Sequence, residues 1–245
     1  MGSGFGQFCP VAVASEVFAG RWTPIILREL LAGAQQFNEI HRGLPLISRP
    51  LLARRLRELE AAGVLTMESL GRGRGHLYRL TEAGEEFRPV IEGLAAWGQR
   101  WATRVDRKNL DPGLLMWNLR RRVALERLPP RRVVVRFRFR GVALSYRGPR
   151  TFWLILERPQ ADLCVADPGF EVDLYVDAEL GAMAKAWLGD VSLESVLRSR
   201  EVELLGPSAL ARAFPSWWLL SPFAGVPRPA AGARAVRGSA RPAGS

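Results

Sequence analysis

Lysine is nearly missing from this chain: two of its 35 basic residues are Lys and the rest are Arg. That bias fits a GC-rich genome as well as selection for phosphate contacts, so the net charge of +11 supports a polyanionic partner only weakly. The excess is also spread out, with +3 over residues 1–104, +4 over 105–225 and +4 over 226–245. Cysteine is scarce too. Cys9 and Cys164 lie far apart, and no charged segment followed by an apolar one opens the chain, which predicts reduced thiols, no disulfide framework and a cytoplasmic location. The longest apolar run, near Trp217 to Leu220, falls far short of the ~20 residues a membrane helix needs, so no membrane partner is expected. The two histidines, His41 and His76, are isolated, and CxxC, HExxH and GxSxG spacings are all lacking. No catalytic set, metal site or cofactor is expected, and carboxylates occur without pairing. What the chain does have is 245 residues with 48% apolar and 9% aromatic content, enough for two modest folded domains.

The most informative stretch is Ile47 to Gly63, ISRPLLARRLRELEAAG. Ser48 is suited to an N-cap and Pro50 to the first turn, so a helix starts here. At helical spacing Leu52, Leu56 and Leu59 form an apolar stripe. Pro50, Arg54 and Arg57 fall opposite, flanked by Arg49 and Ala53. Gly63 suits the left-handed position that ends a helix, and the apolar run Val64-Leu65-Thr66-Met67 follows at once. A helix that presents arginines and hands over to a strand is what a winged helix-turn-helix requires, although the pattern alone also fits an ordinary surface helix.

The flanking segments decide between the two. Upstream, helices are predicted from Cys9-Pro10 to about Ala19, from Pro24 to Leu31 and from Phe37 to Arg42, with Gly20, Gly33 and Gly43 as stops. Downstream, strands are predicted over Val64–Leu70 and His76–Leu80, joined by Gly71-Arg72-Gly73-Arg74-Gly75, a basic wing tip. Thr81 then caps a helix expected to run through Phe87, Val90, Ile91, Leu94, Trp97 and Trp101. Its wide apolar arc either covers the core or pairs two copies.

CPVAVASEVFAGRW, ILRELLAG, FNEIHRGLP, LLARRLRELEAAG and YRLTEAG resemble the HxlR-type winged helix-turn-helix transcriptional regulators, almost continuously from Cys9 to Trp101. The resemblance implies a domain over 9–104 and a homodimer on double-stranded operator DNA, with the helix from Ser48 in the major groove and Arg72 and Arg74 along the backbone or minor groove. Candidate DNA-contacting residues are therefore Ser48, Arg49, Pro50, Ala53, Arg54, Arg57, Arg72 and Arg74. The arginines would read guanine or clasp phosphate, and Ala53 would offer only apolar contact, such as to a thymine methyl. Pro50 and Ala53 depart from the polar residues common at those places in the family. In some of these regulators a Cys-Pro cysteine senses oxidants or electrophiles. Cys9 matches that position and is either such a sensor or a thiol that only begins the first helix.

From Leu110 the texture changes. Asp111 is expected to cap a helix through Leu128, with Arg120-Arg121-Arg122 mostly facing solvent. Strict alternation over Val133–Arg140 predicts a half-buried strand, with further strands over Thr151–Glu157, Ala161–Val165 and Phe170–Val176. Helices around 178–188 and 192–197, a strand over 201–205 and a helix from Ser208 to Trp217 complete the pattern. Strands followed by helices make the fold class α+β: a winged helix-turn-helix domain followed by an antiparallel α+β domain over 110–225. LCVADPGFEVDLYVD, WLGD and VELLGPSALARAF resemble sterol carrier protein type 2-like domains, which generally enclose an apolar tunnel. That resemblance makes Trp153, Phe170, Trp187, Phe214, Trp217 and Trp218 candidates for an effector pocket taking an apolar small molecule, or simply core. Residues 226–245, rich in Ala, Gly, Pro and Arg, are expected to form a disordered basic tail. A regulator is the leading expectation. The alternative is a carrier of an apolar molecule that uses the winged helix for protein contacts.

Overall fold

The computed structural model describes residues 4–71, 75–102, 105–106 and 109–228 and divides into two compact units, Met1–Ala95 and Ala96–Ser245.

In the first unit, α1 (Pro10–Phe18), α2 (Thr23–Leu31), α3 (Phe37–Gly43) and α4 (Arg49–Ala61) precede an antiparallel ribbon of β1 (Leu65–Ser69) and β2 (His76–Leu80). The predicted helices and strands of this unit fall within a residue or two of these bounds up to Leu80. Ile26, Leu27, Ile40, Leu52, Leu56 and Leu65 are fully buried at its centre, one or two each from α2, α3, α4 and β1, so the apolar stripe of α4 is locked to α2, α3 and the ribbon. The approach of α3 to α2 is fixed by Arg28, which pairs with the buried Glu29 at 2.6 Å and donates to the Gly43 carbonyl at 2.9 Å. Tyr78 N–H donates to the Gln35 carbonyl at 2.8 Å, tying the ribbon to the start of α3.

The single helix expected after Thr81 is instead three pieces: α5 (Glu82–Glu85), α6 (Arg88–Trp97) and a π-helical turn over Gly98–Ala102. Pro89 explains the first break. It has no N–H for the Glu85 carbonyl, and its ring clashes with that turn, so the chain restarts with Pro89 in the first turn of α6. Thr81 caps as predicted, its hydroxyl accepting the Gly84 N–H at 3.2 Å, but Gly84 offers no side chain to complete a capping box.

The second unit is a five-stranded sheet with helices packed on one face. The helix capped by Asp111 is α7 (Pro112–Arg121). The strands are β3 (Val133–Arg140), β4 (Thr151–Glu157), β5 (Gln160–Cys164), β6 (Leu174–Glu179) and β7 (Val202–Leu205), in the order β5-β4-β3-β6-β7. Helices α8 (Leu180–Leu188), α9 (Leu193–Arg198) and α10 (Ser208–Ala213) follow β6 and β7. The sheet is not wholly antiparallel. Its central pair, β3 and β6, runs parallel, with Phe137 opposite Val176. Strand β6 also starts four residues later than the pattern suggested, after the turn at Asp167-Pro168-Gly169. Helix α7 stops at Arg121 rather than Leu128. Its continuation is claimed by a distant segment: Ala124 N–H donates to the Trp217 carbonyl, and Leu219 N–H donates to that of Arg122, each at 2.8 Å. Val133, Val135, Phe137, Phe139, Phe152 and Leu154 face the helices and make one core with Met116, Leu180, Phe214 and Trp217.

Candidate nucleic-acid interface

Helix α4 is positioned from both ends. Gly63 adopts a φ of +73°, the conformation that lets the chain turn out of the helix into β1. Thr81 holds that exit by donating its hydroxyl to the Gly63 carbonyl at 2.7 Å. At the other end Pro50 sits in the first turn, as expected, and Ser48 occupies the N-cap with extended backbone angles. The Ser48 hydroxyl makes no cap bond, contrary to the expectation from its residue type; only its carbonyl joins the helix, accepting from Leu52 N–H at 2.9 Å.

With Leu52, Leu56 and Leu59 buried, the outer surface of α4 is set. Ser48, Arg49, Pro50, Arg54 and Arg57 are exposed, and Ala53 is half-buried among them. Arg49 leans back on α3, donating to Asn38 Oδ1 at 3.1 Å with its guanidinium 5.6 Å from the Phe37 ring centre. Arg54 lies 3.6 Å from the Glu58 carboxylate one turn on, with 61% of its side chain exposed. Arg55 takes the other Glu58 oxygen at 2.6 Å. Arg57 carries no ion pair among the described residues. Its charge acts on Tyr78, where burial pushes the phenol pKa up and the guanidinium partly opposes that shift. Among the described residues Arg49 and Arg57 are thus held by no carboxylate, while Arg54 must leave Glu58 to reach another partner.

Asn38 and Glu58 have no role assigned in the sequence analysis. The Glu58 partnership was readable as an i, i+4 pair with Arg54. The Asn38 and Phe37 contacts depend on how two helices cross, which no local pattern gives. Arg72 and Arg74 lie outside the described residues. Their flanks form a hairpin, with Leu70 N–H donating to the Gly75 carbonyl at 3.0 Å and positive φ at Gly71 and Gly75.

Cys9 stands at the N-terminus of α1, half-exposed, with Pro10 next to it. The free N–H groups of Ala12 and Val11 stabilise its thiolate and pull the thiol pKa below its ordinary value. His41 is used structurally, its Nε2 3.1 Å from the Ile47 carbonyl, and among the described residues no three His, Cys, Asp or Glu side chains gather as a metal site.

In the second unit the six aromatic residues proposed for a pocket do not surround one space. Phe214 and Trp217 are fully buried and Trp218 nearly so, packed edge-on against each other and Phe137. Trp187 packs partly against that core. Trp153 points to the opposite side of the sheet, and Phe170 is exposed with the Arg132 guanidinium 4.6 Å from its ring centre. Alternation along β4 puts Trp153 and Phe152 on opposite faces, which a list of aromatic residues does not convey. Arg120 and Arg122 are internal ties, donating to the Ala161 carbonyl at 2.7 Å and the Leu220 carbonyl at 3.1 Å.

Helices α2 and α3, the arginine-bearing α4 that follows the turn, and the β1–β2 ribbon define a winged helix-turn-helix, a DNA-binding fold. Residues 17–106 match the family described as HxlR-like helix-turn-helix. The chain is 35% identical over 100 residues to YdeP, an uncharacterized HTH-type transcriptional regulator of Bacillus subtilis, covering 40% of this chain and 78% of that protein. It is 34% identical over 96 residues to an HTH-type transcriptional regulator of Methanothermobacter thermautotrophicus, covering 39% of this chain and 73% of the relative. Among solved structures it is similar to the redox regulator HypR in its reduced form, at 33% identity and a TM-score of 0.35, over 37% of this chain and 91% of that one. The chain belongs to the HxlR-like helix-turn-helix family of transcriptional regulators. Among the described residues no helix is long and apolar enough to cross a membrane.

Proposed function

We propose that this protein is a homodimeric transcriptional regulator that lays α4 in the major groove of an operator and its wing, residues 71–75, along the backbone or minor groove. One observation carries the reading: Arg54 and Arg57 project from the solvent side of a helix whose other side is immobilised in the core. Binding by such a helix loses little side-chain-bearing backbone freedom, because the rod is already rigid. Arg49, Ser48, Pro50 and Ala53 fill the rest of the surface that would meet base edges, and Arg72 and Arg74 supply the wing. Two copies would read two half-sites about one helical turn, ~34 Å, apart.

The dimer reading is supported by Val90, Leu94 and Trp97, which share one stripe of α6 and are each about half exposed. Val11 and Val13 of α1 are exposed as well, and Phe18 at the end of α1 stacks on Phe87 at 5.5 Å, just before α6. Uncovered apolar surface on two neighbouring helices fits a second copy. Residues 9–104 would then be the DNA-binding domain and 110–225 a regulatory domain of sterol carrier protein-like type, in a cytoplasmic protein. A small-molecule effector remains part of this reading, but the rings of Phe214, Trp217 and Trp218 already fill the helix-covered side of the sheet. Thiol chemistry at Cys9 is the other route to regulation. Mass spectrometry after mild peroxide or quinone treatment that found Cys9 unmodified would remove it.

The test is a gel shift on the promoter next to the protein's own gene at several salt concentrations. The logarithm of affinity should fall linearly with that of salt, and Arg57→Ala should reduce the slope by about 1 while weakening all sequences alike if it contacts phosphate. Arg54→Ala should cost ~1–3 kcal/mol at the cognate site if it reads a base. A flat salt response would remove the DNA reading.

A further inference from the structure

The side of the sheet facing away from the helices carries a site that the winged helix does not need. Along β3, Arg136, Arg138 and Arg140 all point to this side. Arg136 is paired in register with Trp153 on β4 and with Tyr175 on β6. Its guanidinium lies 5.8 Å from the Trp153 ring centre and 5.7 Å from that of Tyr175. Its Nε is buried without a hydrogen-bond partner, and the side chain has no ion pair among the described residues. The next two arginines differ: Arg138 and Arg140 both engage Asp177. Between β3, β6 and β7 lies an open concavity of about 660 Å³, bounded by these arginines, Tyr175, Glu203 and the largely exposed Leu205.

The chemistry of that arrangement is selective. A guanidinium flanked by two rings has lost much of its water and keeps its charge, so an anion that reached its free edge would recover a charge-assisted, two-pronged pair. Against the three arginines stand Asp177 and Glu203, which leaves one positive charge in excess. That balance suits a monoanion and opposes a phosphate polymer. Tyr175 and Leu205 offer a flat ring and an apolar wall beside the charge, and the volume is in the ~300–1,000 Å³ range of small-molecule sites.

We propose that this face binds a small monocarboxylate with a flat aromatic body. The carboxylate pairs with Arg136, and the ring lies against Tyr175 and Leu205. This is a different place from the helix-covered interior, and it stands whether or not the first unit binds DNA.

The experiment is a calorimetric titration of the full chain, without DNA, using 2-naphthoate as probe and its neutral amide 2-naphthamide as the control of equal shape. Saturable binding at one naphthoate per chain is expected, weakened about tenfold or more both by the change to the amide and by Arg136→Gln. Leu205→Glu, an exposed change that leaves the core untouched, should weaken naphthoate without shifting the melting temperature, so a loss there is not one of folding. Failure to saturate by about 10 mM, or equal binding of naphthoate and naphthamide, overturns the proposal. Arg136-dependent binding of a labelled single-stranded oligonucleotide in place of naphthoate also overturns it, by making the occupant a nucleic acid.

Discussion

The thiol of Cys9 shows how one residue's chemistry is set by where an element begins. The first N–H groups of a helix have no carbonyl one turn back, and those of Ala12 and Val11 face the sulfur instead. They favour the thiolate, so alkylation of Cys9 by iodoacetamide should titrate at lower pH than the same reaction of N-acetylcysteine, and the difference should vanish in urea. Equal midpoints for the two thiols would mean that the helix end does nothing to the sulfur. The linkage has a definite sign. A depressed thiol pKa stabilises α1 above the pKa of the unfolded thiol, and that contribution disappears as pH falls through the lower folded value. Gly84 makes the opposite kind of point, since it matters for the atom it lacks. An added Cβ would strike the Val64 carbonyl and crowd Leu80. Helix propensity alone says that Gly84→Ala should stabilise by ~0.5–1 kcal/mol. A backbone oxygen cannot swing aside, so overpacking wins and the substitution should destabilise by ~1–3 kcal/mol in a urea melt. A gain in stability would show that β1 can shift away from α5 at little cost.

At the scale of the element, α4 is an arginine face partly held down by its own glutamate. Both Arg54 and Arg55 lean on Glu58. Exposed pairs of this kind are worth about 1 kcal/mol or less, so the glutamate does little for stability. It does place a negative charge where phosphates would come. Glu58→Gln should leave the melting temperature within a degree or two and tighten DNA binding by up to about fivefold at low salt, an advantage lost at high salt as screening grows. Unchanged affinity at every salt would place Glu58 away from the bound duplex. The same helix shows what the sequence makes legible. Its limits, buried stripe and exit glycine follow from residues within one or two turns, which is why the elements from Pro10 to Leu80 could be read almost residue by residue. Elsewhere the deciding partner was remote. Helix α7 ends where Trp217 and Leu219 pair with its backbone, and the parallel pairing of β3 with β6 joins strands separated by two others in sequence. The break at Pro89 had a local signal, outweighed by the continuous apolar pattern through Trp101. The Arg136 sandwich had none, since its three members come from three strands and meet only once the register is set.

For the molecule as a whole, the proposed dimer requires a surface that would make two copies into one reader. A lone winged helix offers one cationic helix, and its affinity comes mostly from phosphate contacts. Coupling two copies makes the second contact intramolecular and multiplies the affinity without new chemistry. The stripe of Val90, Leu94 and Trp97 is the apolar surface that such coupling would cover, and leaving three large side chains half in water has no benefit to a monomer. Leu94→Glu changes a side chain exposed in the single chain, so the fold should survive with its melting temperature nearly unaltered at low concentration. In the dimer the same carboxylate would be buried against an apolar partner without a counter-charge, at a cost of several kcal/mol. Sedimentation should therefore show the parent chain as a dimer and Leu94→Glu as a monomer at micromolar concentration. The variant should also lose operator binding by orders of magnitude while retaining weak, salt-sensitive binding to any duplex. If Leu94→Glu stayed dimeric, the pairing surface would lie elsewhere, with Val11 and Val13 on α1 the next to substitute. If it became monomeric yet bound the operator as tightly as before, reading by a coupled pair of α4 helices would be wrong.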